Sequence, residues 1–569
     1  MESAPATKMV VYQLMTRLFG NQNTTNKPYG SIEENGSGKF ADITPQALQS
    51  LKSLGITHVW YTGVLEHATM TDYSAFGIRK DDPDVVKGRA GSPYAIKDYY
   101  DVDPDLAVDV KQRMKEFEAL VARTHASGLK VLIDFIPNHV ARSYHSDAKP
   151  VGLKDLGEED DKTVAFKANN NFYYLPSESF RVPAEAQQQA RFLYPGKDGR
   201  YEENPAKVTG NDQFTSSPGI NEWFETVKLN YGLDVQQNRA THFDPIPNTW
   251  IKMRDILIFW ANKKVDGFRC DVAEMVPVEF WNWVIPQVKE VNPEIIFVAE
   301  IYNPAAYANY ISQGRFDYLY EKVKLYDTLR LLIDKKRSTQ DIDAIQQSLK
   351  GINQHMLHFL ENHDEQRIAS PFFAGNPYRA IPAMTISATI DAGPVMIYFG
   401  QEVGEPGKGA EGFSGEDGRT SIFDYWGVPE HQKWVHGGKF DDSLLSDGQK
   451  RLRNYYSTLL NLAQKNPAIT QGNYEDLTAF NVQKANIGED VHVFVRYTDS
   501  EKLLIVNSFN DVPMKVKMEV SPELAEQWKL KDEVQLSDIL WEGESTILTI
   551  SKGSFEITLK PYSSYIFKL

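Results

Sequence analysis

The chain has 569 residues, a formal net charge of −16 and a single cysteine. This charge argues against nucleic acid or an anionic membrane surface as a partner, because phosphate binding requires clustered Lys and Arg. One cysteine excludes an intrachain disulfide and a multi-cysteine metal site. With 41% hydrophobic and 12% aromatic residues, the chain can bury a large core, and its length suits several domains or one large barrel with additions.

We expect neither a targeting segment nor a membrane-spanning segment in this sequence. The N-terminal stretch MESAPATK has neither the basic nor the apolar region of a signal peptide. The longest apolar stretch, residues 380–400, is broken by Asp391 and by Gly393-Pro394 into a helix and a strand. We expect no membrane span. The compartment stays open between the cytoplasm and, for a mature form that lacks its export signal, the periplasm or exterior.

Eight short apolar and β-branched runs predict strands, and helical patterns lie between most of them. One such helix has Thr44 as its N-cap and ends at Gly55, and a second runs from Asp109 to a terminal Gly128. Eight alternating units of this kind predict an α/β fold, a (β/α)8 TIM barrel. The strand runs are MVVY from Met9, THVWY from Thr57, KVLIDF from Lys130, GFRCDV from Gly267, IIFVAE from Ile295, RFDYL from Arg315, HMLHFL from His355 and PVMIYF from Pro394.

Two regions depart from the alternating pattern. About 110 residues rich in Asn, Pro, Tyr and acidic side chains separate the third and fourth strands, which predicts an inserted lobe. After about Pro467, short strand patterns such as DVHVFVRYT and KLLIVNSFN follow one another, which predicts a small all-β sandwich domain. The predicted divisions are 1–140 and 249–467 for the two parts of the catalytic barrel, 141–248 for the lobe (domain B) and 468–569 for the C-terminal domain.

Polar residues collect at the predicted C-terminal ends of four strands, which is the face where barrels carry their chemistry. Each one has a structural interpretation, such as a capping Asp or a satisfied histidine. Four strand ends with charged groups at one rim are harder to explain in this way, because burying charge costs several kcal/mol unless it is paired. These residues are Asp134, Asn138 and His139; Arg269 and Asp271; Glu300; and Asn362, His363 and Asp364.

The stretch VDGFRCDVAEMV places Arg269 and Asp271 on one face of a strand, with Cys270 on the other. Asp271 and Glu300 end adjacent strands, so their carboxyl groups are expected about 5 Å apart. That separation suits a retaining glycosidase, whereas an inverting one needs a wider gap for water. Arg269 is expected to lower the pKa of Asp271, and apolar neighbours to raise that of Glu300. A purely structural ion pair is the alternative for Arg269 and Asp271.

Four stretches in this order, DFIPNH, GFRCDVAEMV, FVAEIYN and FLENHD, resemble the short conserved stretches of the α-amylase family of glycoside hydrolases. A fifth, SPYAIKDYYDVDP, resembles the family's Gly-Tyr…Asp-Tyr stretch, with Pro93 in place of Gly. The resemblance covers nearly the whole chain. It implies that Asp271 is the nucleophile, Glu300 the acid/base and Asp364 the third carboxylate, and that Tyr94, His139, Arg269 and His363 contact the sugar.

The resemblance implies a retaining hydrolase that cleaves α-1,4-glucosidic bonds of starch-like glucans or maltooligosaccharides through a covalent glucosyl-enzyme intermediate. Where many α-amylases have Lys-His after the nucleophile, this chain has Glu274 and Met275, and DVAEMV is closer to the DVANEV of neopullulanase and cyclomaltodextrinase relatives. Val272 is reminiscent of α-1,6-acting members. The alternatives are therefore a transglycosylase, an α-1,6- or pullulan-acting enzyme and, more remotely, a non-catalytic glycan-binding relative.

The resemblance also raises calcium as a cofactor, and no organic cofactor is expected. Amylases often bind calcium where barrel meets lobe, and Asn138 and Asn230 match those positions. Glu, Asp and neutral amide oxygens are all ligands that calcium accepts, with carboxylates supplying the charge.

A second calcium position is suggested by GNQNTTNKPYG, which resembles the N-terminal calcium loop of cyclodextrin-producing relatives. Asn21, Asn23 and Asn26 are neutral amides, and Lys39 stands where those relatives have an Asp. Because an ammonium group has three donors and no acceptor, we expect Lys39 to occupy this loop in place of calcium. A plain polar surface loop is the alternative.

Overall fold

The structure is a computed structural model that describes residues 7–187, 196–410, 412–413, 415–530, 533–541 and 546–569. Its centre is a sheet of eight parallel strands, all almost fully buried. We number them β1 Val10–Met15, β2 His58–Thr62, β3 Lys130–Phe135, β4 Gly267–Cys270, β5 Ile296–Ala299, β6 Tyr318–Tyr320, β7 Met356–Leu357 and β8 Val395–Tyr398.

The strand order is β7-β6-β5-β4-β3-β2-β1-β8. A parallel bridge between His358 and Val395 joins the two ends, with the His358 amide donating to the Pro394 carbonyl at 2.8 Å. The sheet therefore closes into the predicted barrel, and each of the eight predicted runs overlaps one of its strands. Closure brings the C-terminal ends of all strands to one rim.

Helices cover the outside of the barrel. In Pro45–Leu54 the Thr44 hydroxyl accepts from the Ala47 amide, and Gly55 ends the helix in the left-handed region, as the sequence indicates. The predicted segment after Asp109 forms Arg113–Ala126. The other longer helices are Asn248–Asn262, Val278–Val291, Tyr307–Ser312, Asp327–Ile333, Asp341–Ser348, Ile381–Thr389, Pro429–Val435 and Asp447–Lys465.

The lobe between β3 and the helix Asn248–Asn262 contains little regular structure among its described residues. Its strands are pairs of two or three residues: His139–Ala141 with Thr226–Lys228, Tyr174–Leu175 with Ala206–Lys207, and Leu233–Asp234 with Ala240–Thr241. The first pair joins the lobe to the segment that leaves β3, so it sets the position of His139 at the barrel rim.

The C-terminal region forms two four-stranded antiparallel sheets that share one apolar core. The strands are Asn473–Asp476, Val491–Tyr497, Lys502–Ser508 and Ser563–Lys568 in one sheet, and Met514–Glu519, Ser554–Leu559, Ile547–Ser551 and Glu533–Ser537 in the other. The predicted sandwich is present. It is not all-β, however, because the helices Thr478–Ala485 and Pro522–Gln527 lie within it.

The expected role of Lys39 in the N-terminal loop is wrong. Its ammonium group donates to the Asp105 carbonyl at 2.5 Å, away from the three asparagines. The asparagine amides fill the loop themselves: Asn21 Nδ2 donates to the Asn35 and Trp426 carbonyls, both at 2.9 Å. An amide carries two donors as well as an acceptor, so the carbonyl cluster needs no separate cation.

Asn23 and Asn26 act in the same way. Asn23 Nδ2 donates to the Glu34 carbonyl at 3.1 Å, and its Oδ1 accepts from the Thr25 amide. Asn26 exchanges two hydrogen bonds with Gly427, at 2.8 and 2.7 Å. The loop is thereby fastened to the segment that follows β8.

Within the described part of the chain, no helix is both long and apolar enough to cross a membrane.

Candidate active site

The end of β4 carries the central ion pair of the barrel rim. Arg269 and Asp271 share a face, and the Arg269 Nη1 atom donates to Asp271 Oδ1 at 2.7 Å. Arg269 also lies 3.5 Å from Asp134 on the neighbouring strand β3. The Cys270 side chain points the other way and is completely buried. Arg269 and Asp271 therefore share one face of the strand and Cys270 lies on the other, as the sequence predicted.

Glu300, directly after β5, accepts two hydrogen bonds and forms an ion pair. Its Oε2 atom lies 2.9 Å from Arg269 Nη2 and accepts the Val272 amide at 2.7 Å. Its Oε1 atom accepts from the Tyr302 hydroxyl at 2.7 Å. Val272 adopts the left-handed region with φ 36°, which strains a β-branched residue and turns its amide towards Glu300. One guanidinium group thus binds both predicted catalytic carboxylates.

Burial dominates the electrostatics of this pair. It raises the pKa of Asp271, and the Arg269 charge opposes the rise without cancelling it. The expectation that Arg269 gives Asp271 a lowered pKa is therefore wrong in the free protein, because desolvation of the carboxylate outweighs the nearby charge. Burial also raises the pKa of Glu300, as predicted, with Arg269 opposing and Asp271 adding to the rise.

The segment after β7 brings Asp364 and His363 to the same rim. Asn362 Oδ1 accepts the Asp364 amide at 2.9 Å, and His363 Nε2 lies 3.2 Å from the Asp364 carboxylate. Burial and then the Glu300 charge raise the pKa of Asp364 to about 7, although its side chain is 39% exposed. The Tyr94 ring stacks on His363 with ring centres 5.0 Å apart, so the predicted sugar platform lies beside the third carboxylate.

Asp134, a rim residue to which the sequence analysis gave no role, and Gln13 and Trp60, which it did not single out, hold these groups in place. Asp134 accepts from Trp60 Nε1 at 3.0 Å and from the Tyr94 hydroxyl at 3.4 Å. Gln13 Nε2 lies 2.8 Å from His363 Nδ1. Burial raises the pKa of Asp134 to about 7. Both Gln13 and Trp60 lie in barrel strands, where the period-2 pattern identifies an inward face but gives no partner.

His139 reaches the site from the segment that follows β3. Its ring packs against the Trp223 ring of the lobe, with ring centres 5.3 Å apart. The distance between His139 Nδ1 and Asn138 Nδ2 is 3.1 Å. Burial lowers its pKa to about 4, so the imidazole is neutral near pH 7. Trp223 was not singled out by the sequence, because aromatic residues are more often core than ligand contacts.

The side chains around Asn138 do not fit a calcium ion. The Lys228 ammonium group donates to Asn138 Oδ1 and lies 2.8 Å from Asp212. Asn138 Nδ2 donates to the Gly210 carbonyl at 2.7 Å. A calcium ion needs six to eight oxygens with carboxylate charge, whereas here a buried cation already takes both the amide oxygen and the carboxylate.

Asn230, the other predicted metal position, is also committed to protein groups. Its Oδ1 accepts the Gly232 amide at 2.8 Å, and its Nδ2 donates to the Lys167 carbonyl at 2.9 Å. Among the described residues, no group of three or more His, Cys, Asp or Glu side chains is arranged to hold a metal ion. Asn138 therefore joins the barrel to the lobe by direct hydrogen bonds, whereas Asn230 joins segments within the lobe.

Comparison with known proteins identifies the barrel. The family model described as "Alpha amylase, catalytic domain" matches residues 13–424, a range that contains Asp271, Glu300 and Asp364. The chain belongs to the α-amylase family. It is thus a glycoside hydrolase of that family, with the barrel and C-terminal β domain described above.

Individual relatives are distant. The chain is 21% identical over 496 residues to α-amylase 3 of Dictyoglomus thermophilum, covering 84% of this chain and 82% of that protein. It is 20% identical over 581 residues to neopullulanase 2 of Thermoactinomyces vulgaris, covering 99% and 77%. A noncanonic maltogenic α-amylase from Thermotoga neapolitana has the same fold, with a TM-score of 0.63, 18% identity and coverage of 99% and 98%.

Proposed function

We propose that the protein is a retaining α-glucoside hydrolase that cleaves α-1,4-glucosidic bonds of starch-like glucans or maltooligosaccharides. The observation that carries the proposal is the shared guanidinium group of Arg269, which binds both Asp271 and Glu300. Contact with one guanidinium group keeps the two carboxyl groups close to each other. This close approach favours the roughly 5–5.5 Å separation of retaining enzymes over the wider gap of inverting ones.

In the first step, an Asp271 carboxylate oxygen attacks the anomeric carbon while Glu300 gives its proton to the glycosidic oxygen. The bond between that carbon and oxygen breaks, the leaving sugar departs as an alcohol, and a glucosyl ester of Asp271 remains. Arg269 holds Asp271 Oδ1. The raised pKa of Glu300 supports its role as a proton donor.

In the second step, ionised Glu300 removes a proton from water, and the oxygen attacks the anomeric carbon of the ester. Asp271 leaves as a carboxylate, so two inversions give net retention. Asp364 lies where it can hold sugar hydroxyl groups, beside the Tyr94 ring. Tyr94, His139 and His363 then provide the walls of the site for the reacting sugar.

Anomeric analysis and two variants test the mechanism. Proton NMR of the first-formed product should show the α-anomer, and inverted product would overturn the assignment. Asp271→Asn should lower turnover by several orders of magnitude, because covalent catalysis is lost. Glu300→Gln should keep a measurable first step on substrates with good leaving groups, which need no acid.

The finer specificity follows from the segment after the nucleophile. In place of the Lys-His of many α-amylases, this chain has Glu274 and Met275, and Glu274 binds the backbone amides of Tyr302 and Asn303. We therefore expect activity on short α-glucans or pullulan at least comparable to that on raw starch. Product analysis on starch, pullulan, cyclodextrin, panose and sucrose tests this, and a strong preference for insoluble starch would contradict it.

A transglycosylase is the second candidate, because it needs the same carboxylates and differs only in what attacks the glucosyl ester. The same product analysis separates the two. Oligosaccharides longer than the substrate at early time points indicate transfer, and free reducing sugar alone indicates hydrolysis. A non-catalytic glycan-binding relative is disfavoured by the presence of all three carboxylates at one rim.

A further inference from the structure

The segment that follows Glu300 contains a hydroxyl group to which the mechanism above gives no role. Tyr302 is two residues beyond Glu300, and its hydroxyl donates to Glu300 Oε1 at 2.7 Å. The Val272 amide and the Arg269 guanidinium group contact its other oxygen, Oε2, and the carboxyl group of Asp271, which binds the same guanidinium group, adjoins Glu300. The two oxygens of the proposed acid/base therefore have different chemical surroundings.

The partners of Oε2 can only donate. They are the backbone amide of Val272 and the guanidinium group of Arg269, neither of which has an acceptor. A proton on Oε2 would oppose the Val272 N–H group and lie beside the positive charge of Arg269. A tyrosine hydroxyl, in contrast, can donate or accept. These partners favour Oε1 as the oxygen that carries the proton Glu300 delivers, because Tyr302 can turn from donor to acceptor there or be displaced by the glycosidic oxygen.

Glu274 fixes the backbone that carries Tyr302. Its Oε1 accepts the Tyr302 amide at 3.2 Å and its Oε2 accepts the Asn303 amide at 3.1 Å. Glu274 lies in the short turn Ala273–Met275 that follows Asp271. The turn after the proposed nucleophile thus positions the segment after the proposed acid/base, and charge-assisted hydrogen bonds of this kind are the stronger ones.

We propose that Tyr302 is a positioning residue for the proton on Glu300 Oε1, and that Glu274 holds Tyr302 in place. The inference rests on the proposed function, because it assigns a partner to its acid/base. Donation by Tyr302 stabilises ionised Glu300, so it lowers the pKa at which the proton is lost. Removing the hydroxyl should therefore raise that pKa and move the alkaline limb of activity to higher pH.

Other charged and titratable groups also act on Glu300, and any shift must be read against them. Burial and the Asp271 carboxylate raise its pKa, and Arg269 lowers it. The groups around Glu300 are Arg269, Asp271, His139, Tyr302, Tyr320 and Asp364. Of these groups, the substitutions below alter only Tyr302. Glu274→Ala also removes a nearby carboxylate, whose loss by itself would lower the pKa of Glu300, so an upward shift of the limb in that variant reports the lost Tyr302 contact.

The test compares pH profiles of kcat/KM on a maltooligosaccharide for wild type, Tyr302→Phe, Glu274→Ala and the double variant. Tyr302→Phe should move the alkaline limb up by about one pH unit, which corresponds to a net hydrogen bond of ordinary strength. Glu274→Ala should move it in the same direction. The double variant should show no further shift, because one contact cannot be lost twice.

Tyr307→Phe is the matched control. Tyr307 lies on the same segment, and its buried hydroxyl has no hydrogen-bond partner among the described residues, so its loss should leave the limb in place. An unmoved limb in active Tyr302→Phe, or additive shifts in the double variant, would overturn the inference. If Tyr302→Phe does not fold, the position of the alkaline limb of Glu274→Ala tests the inference, and an unmoved limb in that variant overturns it. An inactive wild type would count against the proposed function instead.

Discussion

The Lys228 ammonium group donates to the Oδ1 atom of Asn138, across the boundary between lobe and barrel. Lys228 lies on the strand Thr226–Lys228, which pairs with His139–Ala141, so the contact reinforces the backbone pairing there. Its second partner, Asp212, belongs to the lobe. An internal cation therefore links three segments at the place where relatives were expected to bind a metal.

The first prediction is that chelators leave the enzyme unaffected. The oxygens of Asn138 and Asp212 already bind the Lys228 ammonium group. A chelator therefore has no calcium ion to remove from them. EDTA at millimolar concentration should change neither kcat/KM on a maltooligosaccharide nor the midpoint of thermal unfolding. A drop in either quantity that calcium restores would show a metal site that these contacts do not describe.

The second prediction concerns Lys228 itself. Lys228→Met should lower the thermal midpoint, because it leaves the Asp212 carboxylate without its cation, and it should lower kcat/KM through the adjoining His139. Lys167→Met is the control: this lysine is also in the lobe, but its side chain is 57% exposed, and exposed ion pairs contribute little. Equal effects of the two substitutions would contradict the assigned role.

The third prediction is a stability change at the barrel seam. Asp391 is buried and lies 3.0 Å from His358, the residue that bridges β7 to β8. Although burial opposes it, His358 and then Lys8 lower the pKa of Asp391 to about 2. Breaking a buried pair of this kind costs about 3–5 kcal/mol, so Asp391→Asn should unfold at clearly lower denaturant than wild type.

The contribution of the Asp391–His358 pair to folding stability should decrease at low pH. Because the folded pKa lies below the ordinary value of 3.8, the ionised carboxylate stabilises the fold above about pH 4 and loses this effect as the pH falls towards 2. The difference between wild type and Asp391→Asn should narrow over that interval. Glu556→Gln, in an exposed pair with Lys515, should change stability little at any pH.

The fourth prediction concerns the pH profile of the catalytic pair. Burial raises the pKa of both Asp271 and Glu300, so both limbs of kcat/KM should lie above the ordinary carboxylate range. Activity falls at low pH when the nucleophile is protonated and at high pH when the acid is ionised. Because the two carboxyl groups interact, the two apparent pKa values describe the pair and neither residue alone. Glu300→Gln, assayed with an activated aryl glucoside, should lose the alkaline limb, and a retained limb would assign the acid elsewhere.

The fifth prediction separates Asn21 from Lys39. Asn21 is 4% exposed and its amide donates to two carbonyls, so Asn21→Ala should cost about 1–3 kcal/mol by leaving buried acceptors without donors. Lys39→Ala removes a single contact to the Asp105 carbonyl and should cost less. Chemical denaturation with and without millimolar calcium measures both, and a calcium-dependent midpoint for wild type would contradict the metal-free loop.

The sequence predicted the barrel and its rim because both follow from local patterns. Short β-branched runs mark strands, and a carboxylate just after such a run must lie at the strand end, as Asp271 and Glu300 do. The contacts of Lys228 with Asn138 and of Glu274 with Tyr302 join segments far apart in the chain. Strand and helix periodicity gives no information on such distances, so these contacts could not be predicted.

The errors have equally specific causes. Lys39 was expected in the asparagine loop because only the missing metal charge was considered, and the donor capacity of the amides of Asn21 and Asn26 was left out. The pKa of Asp271 was expected to fall because its neighbour Arg269 is visible in the sequence. The depth of burial is a property of the closed barrel, and it proved to be the larger effect.

Cys270 makes the catalytic strand chemically observable. It is the only thiol in the chain, it is completely buried, and it stands between Arg269 and Asp271. A thiol reagent can modify it only when β4 separates from its neighbours. The rate of modification under native conditions therefore measures how often the strand that carries the proposed nucleophile opens, without any engineered label, and bound oligosaccharide that steadies the rim should slow it.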